Sequence, residues 1–158
     1  MRRLAALHDA SSRWLFAIAG VALCIAVSLY VLEVMLRYGL GAPTTWSNEV
    51  VQYALAVMIF CALPDVTRRN AHVTIDILPD ALPRSVAIWL DAITTLLAAM
   101  ACAIAAWIVA GEALRQFDRG LMTNAANPIP RWWITAVISI GLGSAALHFL
   151  RQTTRRAA

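Results

Sequence analysis

Residues 14–32 read WLFAIAGVALCIAVSLYVL, a run without a single Asp, Glu, Lys or Arg. A helix needs roughly 20 apolar residues to cross the hydrocarbon core of a bilayer, and this run meets that length. Residues 50–63, 92–111 and 132–150 also lack all four charged residue types. The first of these three is short; it reaches spanning length if the helix starts near Trp46 and carries Glu49 at the interface. A small soluble domain has no way to bury this much apolar surface. Four spans in a 158-residue chain leave almost nothing for a separate soluble domain. The expected fold is an all-α integral membrane protein, one domain over 1–158. Its four transmembrane helices span about 14–36, 46–63, 86–111 and 131–150, with an amphipathic interfacial segment between the second and third.

The basic residues give an orientation. All thirteen are arginine. Arg2, Arg3, Arg13, Arg68, Arg69, Arg84, Arg151, Arg155 and Arg156 fall on the side of the termini and the middle loop. Only Arg37, Arg115, Arg119 and Arg131 fall on the other side. The positive-inside rule then puts both termini and the middle loop in the cytoplasm. Arginines at span ends form no clustered basic face, so nucleic acid is not an expected partner. Cys24, Cys61 and Cys102 lie inside apolar stretches without metal-ligand spacing, and they read as small packing residues. The first apolar run is too long for a cleavable signal peptide and lacks a convincing small-residue cleavage site.

Each span carries its own pattern. In the first, Gly20, Cys24 and Ser28 recur every four residues, a stripe where another helix can approach closely. Glu33 and Arg37 follow at i,i+4 and read as a local ion pair. Gly39, Gly41 and Pro43 break the helix, and Thr45 or Ser47 is the expected cap of the second span. Glu49, Gln52, Tyr53 and Ala56 then share a face that should meet protein, because lipid cannot satisfy it. Pro64 and Asp65 are expected to end this span.

The middle loop alternates Val73, Ile75 and Ile77 with Thr74 and Asp76, and Pro79 and Pro83 preclude one long helix. A short amphipathic element in the cytoplasmic interface is expected there. His72 stands beside two arginines, a poor setting for a metal ligand.

The third span holds Asp91 in its first turns. Asp91, Thr95, Ala98, Cys102, Ala106 and Ala110 share a face. Its charge pattern continues through Glu112, Arg115 and Arg119 until Gly120 stops the helix. Beyond it, 124–130 is a turn-rich loop. Trp132 and Trp133 mark the interface at the start of the fourth span, where Gly141, Ser144, Ala145 and His148 share one face.

Little points to chemistry. Ser144 and His148 stand four apart on one helix, which favours packing over catalysis. There is no phosphate-binding glycine loop and no cysteine pair at a membrane surface. Glu33, Glu49 and Asp91 all lie near span ends, not at the midplane where a proton-coupled exporter needs a carboxylate. No cofactor and no metal is expected.

In sequence order, Arg37-Tyr38, Trp46-Ser-Asn-Glu49, Arg68/Arg69, His72, Asp76, Leu82-Pro83 and Pro130-x-Trp132 resemble the small Q-type membrane subunit of TRAP (tripartite ATP-independent periplasmic) transporters. The likeness covers most of the chain. Two departures affect the second span: Asn48 replaces the first carboxylate of the family's Glu pair, and Ala62-Leu63-Pro64 stands where a Gly-Ala step is common. The resemblance implies an accessory subunit and not an enzyme. It would brace a large M-type permease subunit in the bacterial inner membrane and help dock a periplasmic substrate-binding protein during sodium-driven uptake of an organic anion. The candidate subunit-interface residues are Arg37, Trp46, Glu49, Gln52, Tyr53, His72, Asp76 and Asp91. The candidate binding-protein contacts are Glu112, Arg115, Asp118 and Arg119. Membrane lipid is the remaining expected partner. The alternative is an autonomous four-helix exporter acting as a homo-oligomer; a membrane enzyme ranks last.

Overall fold

The computed structural model describes residues 2–42, 44, 46–69, 84–123 and 128–156. Four helices account for nearly all of them: α1 (Arg2–Gly39), α2 (Ser47–Arg68), α3 (Arg84–Asp118) and α4 (Arg131–Arg156). Each contains a stretch long and apolar enough to cross a membrane, as the four charge-free runs require.

The helices form a row that is drawn together at the end carrying the termini, where His8, Asp9 and Ser12 of α1 also reach α4. α1 packs on α2, α2 on α4, and α4 on α3. The faces of the row are therefore uncovered. Even in α2, which has a neighbour on both sides, only 28% of the apolar window is buried, and in α3 only 11%. A surface this apolar is stable against hydrocarbon or against another protein, not against water.

The buried side of α1 follows a heptad, facing α2 at the Glu33 end and α4 at the Ser12 end. Its buried residues Ser12, Ala19, Ala26 and Glu33 recur every seven residues, with Ala22 buried between them and Leu15, Leu29 and Leu36 half-buried on the same side. Alanines along this side let a neighbouring backbone come close. The Gly20, Cys24 and Ser28 stripe lies elsewhere. All three residues are exposed and line an open apolar groove with Ala17, Val21, Ile25 and Leu29. No helix of this chain fills it among the described residues.

Two helix boundaries differ from expectation. α1 starts at Arg2, not near Trp14. Residues 2–13 contain no glycine or proline, and polar contacts from His8, Asp9 and Ser12 to α4 hold this extension in place. α2 runs through Pro64 and Asp65 to Arg68. Proline lacks the N–H that would bond the carbonyl four residues back, here that of Phe60. This carbonyl oxygen lies against α4, where it would come within 2.2 Å of a Cβ placed on Gly141. The freed carbonyl thus occupies the space left by a missing side chain, and the helix continues.

α3 ends as the glycine predicts. Gly120 has φ +58°. Its N–H bonds the Phe117 carbonyl at 3.1 Å, and the Leu121 N–H bonds that of Gln116 at 3.1 Å, the Schellman pattern. The connection to α4 folds back on itself, with Thr123 N–H bonded to the Ile129 carbonyl at 2.9 Å and Arg131 N–H to that of Leu121 at 3.0 Å. α3 is 35 residues long, about 52 Å at the helical rise. It therefore exceeds the roughly 30 Å hydrocarbon core.

Candidate functional site

Polar residues gather at the two ends of the row. At the end away from the termini, Glu33 is a hub. It continues the buried side of α1, and its carboxylate is buried against the start of α2. Oε1 accepts from Arg37 Nη2 at 2.7 Å. Oε2 accepts from Ser47 Oγ at 2.8 Å, from the Thr44 backbone N–H at 3.1 Å, and from the Thr44 hydroxyl. The expected i,i+4 pair is present, but the carboxylate does more. It fastens the α1–α2 turn and places a negative charge at the N-terminus of α2, where the helix dipole favours it. Ser47 does not cap α2 as expected. Trp46 holds the N-cap position without a side-chain bond, because the Ser47 hydroxyl is engaged by Glu33.

At the end that carries the termini, Asp65 is a second hub. It is fully buried. Oδ1 accepts from Arg68 Nε and Nη2 at 2.8 and 2.6 Å, and Oδ2 accepts from Arg69 Nε at 2.5 Å. The Arg69 guanidinium also lies over the Phe16 ring of α1, 5.6 Å from its centroid. Gln152 of α4 donates to the Thr67 carbonyl at 2.6 Å. The last turn of α2 is thereby tied to both neighbours.

Beside it, α1 and α4 meet through two serine–histidine pairs. His8 Nε2 lies 2.9 Å from Ser144 Oγ, and His148 Nε2 lies 2.7 Å from Ser12 Oγ. The two imidazoles stack, with centroids 4.0 Å apart. Arg151 Nη1 donates to Asp9 at 2.6 Å and faces His8 Nδ1 at 3.3 Å. This interlock is local in sequence terms only on each helix, so the spacing of Ser144 and His148 did not reveal it. The expectation that these two residues serve packing holds, with partners on α1.

Neither catalysis nor metal binding suits this cluster. A serine nucleophile needs a histidine base oriented by a carboxylate. Here His8 Nδ1 faces a guanidinium, and Asp9 is committed to Arg151. His8, Asp9 and His148 do bring ligand atoms within 4.8 Å of one another. The Arg151 cation already bridges two of these groups, which opposes a second positive charge. The cluster is a structural clasp. Ser12→Ala should leave the buried His148 nitrogen without a partner and cost about 1 kcal/mol. A lowered midpoint in thermal unfolding of the detergent-solubilised chain checks this; an unchanged midpoint would show that the clasp does not hold α1 to α4.

The expected site residues are spread over the row. Arg37 is in the Glu33 hub. Of the α2 face, Gln52 is exposed, whereas Glu49 and Tyr53 are half-buried, and Trp46 is 39% exposed. Asp91 is exposed near the start of α3. At the far end of α3, Glu112 and Arg115 pair at 3.0 Å. Gln116 donates to Glu112 at 3.1 Å and accepts from Thr135 of α4 at 2.8 Å. Asp118 and Arg119 are exposed. His72, Asp76 and the amphipathic segment lie outside the described residues. Asp65 and the His8–Ser144 and Ser12–His148 pairs were not among the expected sites. The Asp65, Arg68, Arg69 spacing was the available signal for the first; the pairs need tertiary structure.

Among curated proteins none matches this chain. A family model described as "Tripartite ATP-independent periplasmic transporters, DctQ component" matches residues 26–158. The chain belongs to the DctQ family. The match takes in α2, α3, α4 and the C-terminal part of α1 from residue 26. As a member of that family it is a component of a tripartite transporter, a multi-pass membrane protein whose assembly has other subunits.

Proposed function

We propose that this DctQ-family chain is the small subunit that braces the large M-type permease of its transporter and helps dock the periplasmic binding protein. The transport it serves is sodium-coupled uptake of an organic carboxylate. The observation that carries this reading is the open row. Most of each apolar window is left uncovered, while buried polar hubs tie the helices at each end. Such a layer offers a larger protein broad apolar faces to pack against, with its helices tied to one another by polar contacts at both ends. Trp46, Glu49, Tyr53 and Asp91 are the proposed contacts with the large subunit, together with His72 and Asp76 of the middle loop.

The proposed location is the bacterial inner membrane, with both termini and the middle loop cytoplasmic. The nine-to-four arginine bias supports this. Single cysteines at Thr153 and at Asp118, in a background with Cys24, Cys61 and Cys102 replaced, should react with an impermeant thiol reagent from opposite sides. Labelling of Thr153→Cys from the periplasm in intact cells would invert the topology.

The far end of α3 is the proposed docking surface for the binding protein. Glu112 and Arg115 stay 43% and 65% exposed although paired, and Asp118 and Arg119 extend the charged surface. Rim charges of this kind set encounter rate more than final affinity. Reversing Arg115 and Arg119 to Glu should slow uptake about tenfold at limiting binding protein and low salt, and much less at saturating binding protein. Unchanged uptake at limiting binding protein would make this end a solvated helix terminus.

A further inference from the structure

Between α1 and α2, at the end away from the termini, lies a cleft of about 310 Å³. Tyr30, Val34, Arg37 and Tyr38 of α1 line it, with Asn48 and Val51 of α2, over a floor made by Glu33 and Ser47. Glu33 is already saturated by Thr44, Ser47 and one nitrogen of Arg37. Arg37 therefore has donors to spare, and its side chain is 54% exposed. Asn48 opens into the same cleft. Gln52 follows one turn deeper on the same face of α2, exposed and without a hydrogen bond among the described residues. Leu55 and Ile59 continue that exposed line.

From the membrane surface inward, the face thus presents a guanidinium, an amide, a second amide, and then only apolar side chains. Trp46 and the chain reversal at Gly41 set this end at the interface. Hydrocarbon offers the Gln52 amide no partner. The order of these groups matches one class of molecule. We propose that the cleft binds a single glycerophospholipid. Its phosphate is held by Arg37 and Asn48, an ester carbonyl accepts from the Gln52 amide, and an acyl chain lies along Leu55 and Ile59. Asn48 and Gln52 are four residues apart, about 6 Å along the helix, and the ester carbonyls of such a lipid lie a comparable step below its phosphate. A helix from another protein is the competing occupant. The apolar face of a helix would leave the spare Arg37 donors and the Gln52 amide without acceptors, whereas a phosphate and an ester carbonyl meet both.

Native mass spectrometry of the full-length chain in detergent, titrated with phosphatidylglycerol and with its diether analogue, tests this. The wild type should retain one lipid and prefer the diester about fivefold, the worth of one amide–carbonyl hydrogen bond. Gln52→Leu, a change at an exposed position, should abolish that preference. Arg37→Gln, which keeps a donor for Glu33, should weaken binding of both lipids about tenfold through loss of the charged contact to phosphate. Equal binding of diester and diether by the wild type would overturn the proposal. So would unaltered lipid binding in both variants combined with poorer co-purification of another protein, since the occupant would then be a helix.

Discussion

Gly141→Ala should separate α2 from α4 and cost about 3 kcal/mol or more, whereas Gly143→Ala, two residues away, should be nearly silent. The contrast follows from what each added methyl would meet. At Gly141 it would lie 2.2 Å from the Phe60 carbonyl oxygen and 2.9 Å from the carbonyl carbon. These are backbone atoms of a packed helix and cannot swing aside, so the helices must part. Overpacking a well-filled interior typically costs about 1–3 kcal/mol, and a backbone clash falls at or above the top of that range. At Gly143 the nearest atom is the Ala106 Cβ at 3.8 Å, an ordinary contact. Equilibrium unfolding of the two variants in detergent reads the difference. If both melt like the wild type, the close approach of Phe60 to Gly141 is not what joins α2 to α4.

The second large effect concerns Asp65. Arg68→Ala with Arg69→Ala should destabilise the chain by about 2–3 kcal/mol, because it leaves a buried carboxylate without a cation. Asp65→Asn alone should cost less. The arginines it abandons are 27% and 57% exposed and regain water. Adding Asp65→Asn to the double arginine variant should therefore recover part of the lost stability. That sign reversal is the diagnostic result of the cycle. Purely additive losses would mean that the three residues act independently and that the hub is not a unit.

Both effects show where the sequence was readable. The four helices were legible because charge-free runs of bilayer length admit one solution. The end of α3 was legible because Gly120 follows a charged, glycine-free stretch. The end of α2 was misread at Pro64, since a proline usually stops a helix when its freed carbonyl has no place to go. Here Gly141 supplies that place from a residue 81 positions from Phe60, which no local pattern discloses. The seam of α1 was present in the sequence as Ser12, Ala19, Ala26 and Glu33, spaced by seven. The Gly20, Cys24 and Ser28 spacing is the more conspicuous small-residue stripe, and the structure leaves it uncovered. Glu33 and Arg37 were legible as a pair. Their links to Thr44 and Ser47 depend on how the break after α1 folds back. The His8–Ser144 and Ser12–His148 pairs join the two ends of the chain and were out of reach of any spacing argument.

An open row with locked ends makes sense as one layer of a larger membrane assembly. Its apolar faces need a neighbour or lipid, and its polar hubs tie the helices to one another. The lipid proposed between α1 and α2 would add a further fixed point at the membrane surface.

Reconstituted uptake tests the central claim most directly. Proteoliposomes would carry this chain alone, the large permease alone, or both, each with the binding protein and a labelled organic carboxylate under an inward sodium gradient. An accessory subunit should give uptake only when both membrane components and the binding protein are present, and none by itself. Uptake by this chain alone, or full-rate uptake by the permease without it, would contradict the account.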